Sequence, residues 1–238
     1  GRDTERLAAR PGLMINAEHD HYVGSDEMAE TMKLCVSCKG CKRECPTGVD
    51  MARMKIEVQA ARVRKDGLRL QDRLTAFLPL YAPWAARLPS VANLRNTVPG
   101  LAKLTERLTG FTATRKLPTW HKNPFKDKEV APHKSPEAVV FADCFNRYFE
   151  PENLRATFKV MEAANVPVQL VQAPKAERPL CCGRTFLSAG LINEAKVEAQ
   201  RLVDAMMPYV ERVVGEWQAL GRRPSDVDAR VARPRRGN

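Results

Sequence analysis

Four of the chain's seven cysteines fall within eleven positions, in the stretch CVSCKGCKRECP from Cys35 to Pro46. Cys35, Cys38, Cys41 and Cys45 carry the spacing C-x2-C-x2-C-x3-C, with proline next. Thiolates at such short intervals can wrap a compact polynuclear centre, because each intervening pair of residues turns the backbone around it. This is the spacing that holds a [4Fe–4S] cluster. Gly40 keeps the loop small, and Lys39, Lys42 and Arg43 either offset an anionic cluster or are plain surface charge. Zinc is the alternative occupant, although it usually takes two well-separated ligand pairs rather than four consecutive close ones. In two-cluster proteins the fourth cysteine of such a run serves the other cluster. The sequence holds a single run. Either all four cysteines bind one cluster, or Cys45 belongs to a second cluster whose run lies elsewhere.

The remaining cysteines, Cys144, Cys181 and Cys182, form a second constellation, with Gly183 next. Cys144 follows the strand-like run Glu137 to Asp143, and Cys181-Cys182 follow a second run, Val166 to Val171. If the two strands are parallel, both loops leave the sheet at its carboxyl edge, where ligands bind in such sheets. Sulfurs far apart in sequence can therefore converge there, as ligands of a second centre or as a redox site. Three thiolates fall short of a full cluster shell. Cys144 also reads as a buried apolar thiol.

The elements that would position these residues change in texture along the chain. Residues 1–24 show no period. Ser25-Asp26-Glu27 starts a helix with a hydroxyl cap and acids in the first turn, on which Met28, Met32 and Cys35 would share a face. Asp50 caps a second helix with Met51, Met54, Val58 and Ala61 on one side, ended by Asp66-Gly67. Residues 25–67 thus read as a helical iron–sulfur domain. Residues 68–135 read as a helical connector cut by prolines, with a loose Lys-rich link from His121 to Ser135. Strand, helix (Pro151 to Asn165), strand and helix (Leu187 to Arg212) then make a β-α-β-α unit over residues 136–212. The fold class expected is therefore α+β, a helical cluster-binding domain followed by a small α/β domain. Val213-Val214-Gly215 could open a third strand, and residues 213–238 otherwise read as a basic, disordered tail.

Composition narrows the function classes. The net charge is +11, of which Arg222 to Asn238 supplies +4 through six Arg against two Asp. The rest is dispersed over amphipathic helices. No zinc-finger, homeodomain or RNP-type pattern accompanies the charge, so nucleic acid is not expected as a partner. No run approaches a membrane span. The charged N-terminal residues show no signal peptide, which favours a reducing, cytoplasmic compartment. The first residue is Gly rather than Met, as in a piece of a longer protein. His19, His21, His121 and His133 sit in expected loops and read as surface residues.

The two cysteine constellations together resemble a known family. Cys144, thirty-six residues, then Cys181-Cys182-Gly183 resembles the first half of a cysteine-rich CCG domain, known from heterodisulfide reductases and glycolate oxidase iron–sulfur subunits. With the ferredoxin-type run upstream, the chain resembles the iron–sulfur region of FAD-linked 2-hydroxyacid dehydrogenases of the D-lactate or glycolate type. The stretches CVSCKGCKRECPTGVDMARMK, FNRYFEPENLRA and CCGRTFLSAG resemble the version in which a flavin domain precedes the iron–sulfur part. Coverage runs roughly from Ser25 to Arg212.

What the resemblance implies is an electron-transfer module. Electrons from FAD on another domain or subunit would pass through a [4Fe–4S] cluster held by Cys35, Cys38, Cys41 and Cys45 to a quinone or other acceptor. Cys144, Cys181 and Cys182 would be ligands of a second centre. Peripheral association with the inner face of the membrane would suit a quinone acceptor. The sequence departs from the family's pattern in three places. A second cluster run is absent, no flavin-binding segment is recognisable, and Glu216-Trp217-Gln218-Ala219 stands where further cysteines should complete the CCG pattern. These departures suit a fragment, truncated upstream and altered in reading frame near Val213. Two other classes remain open on the residues alone: a zinc-stabilised interaction module using the first four cysteines, and a basic scaffold that binds an acidic partner through Arg222 to Arg236.

Overall fold

The structure is a computed structural model that describes residues 23–133, 136–174 and 177–219. His19, His21 and the basic tail through Arg222 to Arg236 lie outside the described residues. The described chain is mostly helical, with one two-stranded parallel sheet. It divides into two compact units, each assembled from separate segments, whereas the sequence suggested boundaries in simple linear order.

The first unit comprises residues 23–81, 94–117 and 183–197. Helix α1 (Asp26–Lys33) is capped by Ser25, whose side chain accepts from Met28 N–H, and acids occupy its first turn. It stops before Cys35, so that cysteine does not share its face with Met28 and Met32 as the periodicity suggested. A short turn, α2 (Gly40–Glu44), carries the middle of the cysteine run. Helix α3 (Met51–Asp66) begins at Asp50, which accepts from Arg53 N–H, and ends at Gly67. It buries Ala52, Val58, Ala60 and Ala61, but Met54 is 42% exposed and so is not core. Helices α4 (Leu70–Ala76) and α11 (Arg184–Ser188) pack together. Phe186 fills the centre of their core, edge-on to Phe77 at 5.3 Å, beside Ala76, Ala189 and Ala195. The buried Thr185 hydroxyl donates to Ala76 C=O at 3.0 Å and satisfies one of the orphan carbonyls at the end of α4.

The second unit comprises residues 82–93, 118–182 and 198–219. Strands β1 (Ala138–Phe141) and β2 (Val168–Val171) pair in parallel, Ala138 opposite Val168. The crossover contains α9 (Cys144–Tyr148) and α10 (Pro151–Ala163). Pro151 opens α10, where its missing N–H costs no helical bond. Phe125, Ala142, Leu154 and Leu170 form the core, and Phe125 stacks on Phe158 at 5.9 Å. The stretch from His121 onward, expected to be a loose link, is tied down. His121 and Phe125 N–H groups donate to Tyr148 and Arg147 carbonyls, and buried Arg147 bonds Asp127.

Between these segments the connector is helical: α5 (Leu78–Ala85), α6 (Pro89–Ala92), α7 (Leu94–Thr97) and α8 (Leu101–Thr109). Prolines shape it without abolishing helix. Pro79 lies in the first turn of α5, and the helix stops two residues after Pro83. The long helix expected over 187–212 is instead two. Gly190, at φ +82°, separates α11 from α12 (Ile192–Ala219). Helix α12 continues through Val213-Val214-Gly215, so the third strand suggested there is absent. Two consecutive valines fit a helix as well as a strand, and the turns already formed from Ile192 extend cooperatively through them.

Candidate functional site

The cysteine run occupies the loop between α1 and α3, with α2 inside it. Cys35 N–H donates to Met32 C=O at 3.1 Å, which ties the start of the loop to the end of α1. Ser37 and Lys39 then take left-handed φ values of 58° and 60°. Non-glycine residues adopt that region rarely, and here they coil the backbone tightly between Cys35 and Cys41. Gly40 leaves room for Cys38, since an added Cβ would meet its Sγ at 3.6 Å. On the far side, Cys45 N–H donates to Cys41 C=O at 2.8 Å and closes the turn.

Two of the four sulfurs are met by donors. Met51 N–H, in the first turn of α3, donates to Cys41 Sγ at 3.3 Å. The Thr47 hydroxyl lies 3.0 Å from Cys45 Sγ. That hydroxyl, with the backbone N–H groups of Val49, Thr47 and Gly48, lowers the Cys45 thiol to about 7. Asp50, the nearby carboxylate, is held below its ordinary value by Arg53 N–H and by Lys39 and Lys42, and Lys42 Nζ stands 3.6 Å from it. Lys55 Nζ reaches from α3 to the Cys35 carbonyl. Beside Cys35 is a cavity of about 410 Å³ lined by three cations, Lys39, Lys55 and Arg184, and by no carboxylate.

Among the described residues, no three His, Cys, Asp or Glu side chains are gathered closely enough to hold a metal ion, and this includes the four of the run. The fit to a cluster rests on the donor set. Four cysteines lie on one tightly coiled loop, two are met by the N–H or O–H donors that favour thiolate, and cations flank them. That set suits an anionic thiolate-bound centre. Sequence reasoning named the cysteines but not Thr47, Lys55 or Arg184. Thr47 was legible in principle, because a hydroxyl two residues after Cys45 in a Pro-Thr-Gly turn is placed to bond back. Arg184 was not, since only tertiary packing brings it to the loop.

In the second unit the structure brings Cys144 and Cys181 together at the carboxyl edge of the sheet. Asp143 caps α9 and accepts from Phe145 and Asn146 N–H at 2.9 and 3.1 Å, which fixes the backbone around Cys144. Cys144 is 7% exposed and Cys181 is 1% exposed. Their side chains are hydrogen-bonded, and this bond is the main reason the Cys144 thiol lies below its ordinary value; burial and the Asp143 carboxylate act against it. Cys182 is exposed. Gly183, at φ +76°, comes so close to the α12 backbone that a Cβ would lie 2.6 Å from Ala195 C=O oxygen. The sulfurs gathered here do not fit an iron–sulfur centre, which needs a fuller thiolate shell than a buried pair.

Comparison with known proteins adds a second line of argument. The chain is 30% identical over 218 residues to D-2-hydroxyglutarate dehydrogenase of Escherichia coli (strain K12), covering 86% of the chain and 21% of that protein. It resembles a D-2-hydroxyglutarate dehydrogenase. The protein of that name from Pantoea ananatis (strain AJ13355) is 31% identical over 77 residues, 32% of the chain and 8% of that protein. The chain thus spans about a fifth of the length of the first relative. No protein-family model matches it, and no solved structure does. Among the described residues no helix is long and apolar enough to cross a membrane.

Proposed function

We propose that this chain is the electron-transfer segment of a flavin-linked 2-hydroxyacid dehydrogenase, with D-2-hydroxyglutarate as the substrate class of the whole enzyme. The similarity to D-2-hydroxyglutarate dehydrogenase supports the oxidoreductase assignment. The observation that carries the electron-transfer role is the thiolate-favouring environment of the cysteine loop, where Met51 N–H serves Cys41 and Thr47 serves Cys45.

In this reading Cys35, Cys38, Cys41 and Cys45 hold a [4Fe–4S] cluster, which supplies one-electron transfer when bound. Met51 and Thr47 direct hydrogen bonds to two of the sulfurs and so stabilise negative charge on them. Ser37 and Lys39 keep the loop coiled. Lys39, Lys55 and Arg184 present positive charge beside Cys35. FAD belongs to a flavin domain or subunit beyond this segment, and a quinone or similar carrier is the acceptor.

The test is anaerobic reconstitution with iron and sulfide, followed by iron and zinc analysis and EPR of the dithionite-reduced chain. About four irons per chain and a reduced-cluster signal, both lost in Cys38→Ala, are expected. Zinc uptake without iron, or no metal uptake at all, overturns the reading.

A further inference from the structure

The contact between Cys144 and Cys181 needs its own account, because the cysteine run does not use it. Both sulfurs are buried, they share a hydrogen bond, and they belong to rigid surroundings. Asp143 pins the backbone at Cys144, while Leu180 and Cys181 are both buried on the other side. No disulfide links any of the seven cysteines, so the pair is present as two thiols. Two thiols held in contact have already lost the conformational freedom that closing a disulfide would otherwise remove. The two sulfurs are far apart in sequence, with thirty-six residues between them, so only the fold makes them neighbours.

We propose that Cys144 and Cys181 form a reversible dithiol–disulfide couple, a two-electron site that exchanges with low-molecular-weight thiols and disulfides of the glutathione type. Cys144, the more accessible of the two, meets the external disulfide first. Its thiolate attacks one sulfur of RS–SR, forming Cys144–S–S–R and releasing RS⁻. Cys181 then gives up its proton, and its sulfur attacks Cys144 Sγ and displaces the second RS⁻. The protein dithiol is oxidised by two electrons, the small disulfide is reduced to two thiols, and the two protein protons end on the released RS⁻ groups. Cys182 is outside the couple: an adjacent pair of cysteines closes a disulfide only with a distorted backbone, whereas the neighbour of Cys181 across the fold is already in place. The proposal does not depend on a cluster at Cys35 to Cys45.

The full chain would be equilibrated anaerobically in glutathione buffers of increasing oxidised fraction, quenched in acid, alkylated and digested for mass spectrometry. A disulfide-linked peptide pair joining Cys144 to Cys181 is expected, with a single midpoint across the series and reversal by excess reduced glutathione. In Cys181→Ser the linked pair disappears and Cys144 carries glutathione instead, while Cys182→Ser leaves the linkage and its midpoint unchanged. The wild-type peptide map decides the matter even if Cys181→Ser does not fold. Linkage through Cys182, or Cys144 and Cys181 both remaining reduced in fully oxidised glutathione, overturns the proposal. Iron analysis of the same samples reads the cysteine run separately, so failure of one assignment leaves the other visible.

Discussion

Replacing Gly190 by alanine isolates what one close backbone approach is worth. Gly190 sits at φ +82° between α11 and α12, and an added Cβ would lie 2.6 Å from Gln59 C and 2.7 Å from Ala60 N, both main-chain atoms of α3. Gly100 is the natural control, with the same φ of +82° and nothing within 4 Å of the added Cβ. Both substitutions force an L-residue into the left-handed region, at roughly 1–2 kcal/mol, and both gain the same small stabilisation from a stiffer unfolded chain. Only Gly190→Ala adds overpacking, which typically costs about 1–3 kcal/mol. Main-chain atoms cannot swing aside as a side chain would, which places the difference between the variants near about 2 kcal/mol. For a chain of this size each kcal/mol moves the thermal midpoint by roughly 2–4 °C. Gly190→Ala should therefore unfold about 4–8 °C below Gly100→Ala. Thermal unfolding followed by circular dichroism measures this directly. Midpoints for the two variants within about 2 °C of each other, under one such increment, would show that α11–α12 does not rest on the α3 backbone as described.

Other outcomes follow from the same geometry. In metal-free protein, Cys45 alkylation by iodoacetamide should rise through a midpoint of about 7. The thiolate predominates above that pH, so Thr47→Val, which removes the leading cause of the shift, should move the midpoint up toward about 8.5 and slow the reaction at neutral pH. Superimposable profiles for the two proteins would refute the role given to Thr47. Glu198 is buried and accepts from both Arg178 and Arg201, themselves partly solvated. Because the arginines can rehydrate, Glu198→Ala should cost about 2–3 kcal/mol, the low end for a broken buried pair. Urea unfolding checks this, and an unchanged midpoint would mean the network contributes nothing net.

The chemistry of this protein was legible wherever local spacing determines it. The cysteine run, the Ser25 and Asp50 caps, the helix-ending Gly67 and the parallel pairing of β1 with β2 all depend on neighbours within a turn, or on a pattern whose period is visible in the chain. The environment around the sulfurs followed other rules. That Cys41 receives Met51 N–H and that Lys55 reaches the Cys35 carbonyl depends on how α3 returns past the loop. Met54 has the periodicity of a core residue and is exposed, because periodicity marks a face but not whether another element covers it. The division of one expected helix at Gly190 is of the same kind, set by the approach of the α3 backbone.

The sequence by itself determined which residues can bind soft metals or exchange electrons, since thiols, their number and their spacing are covalent facts. Only the tertiary structure decided that Cys144 meets Cys181 while Cys182 stays exposed. Adjacent residues of a chain tend to point apart, and contact between distant ones is created by the burial of the elements that carry them.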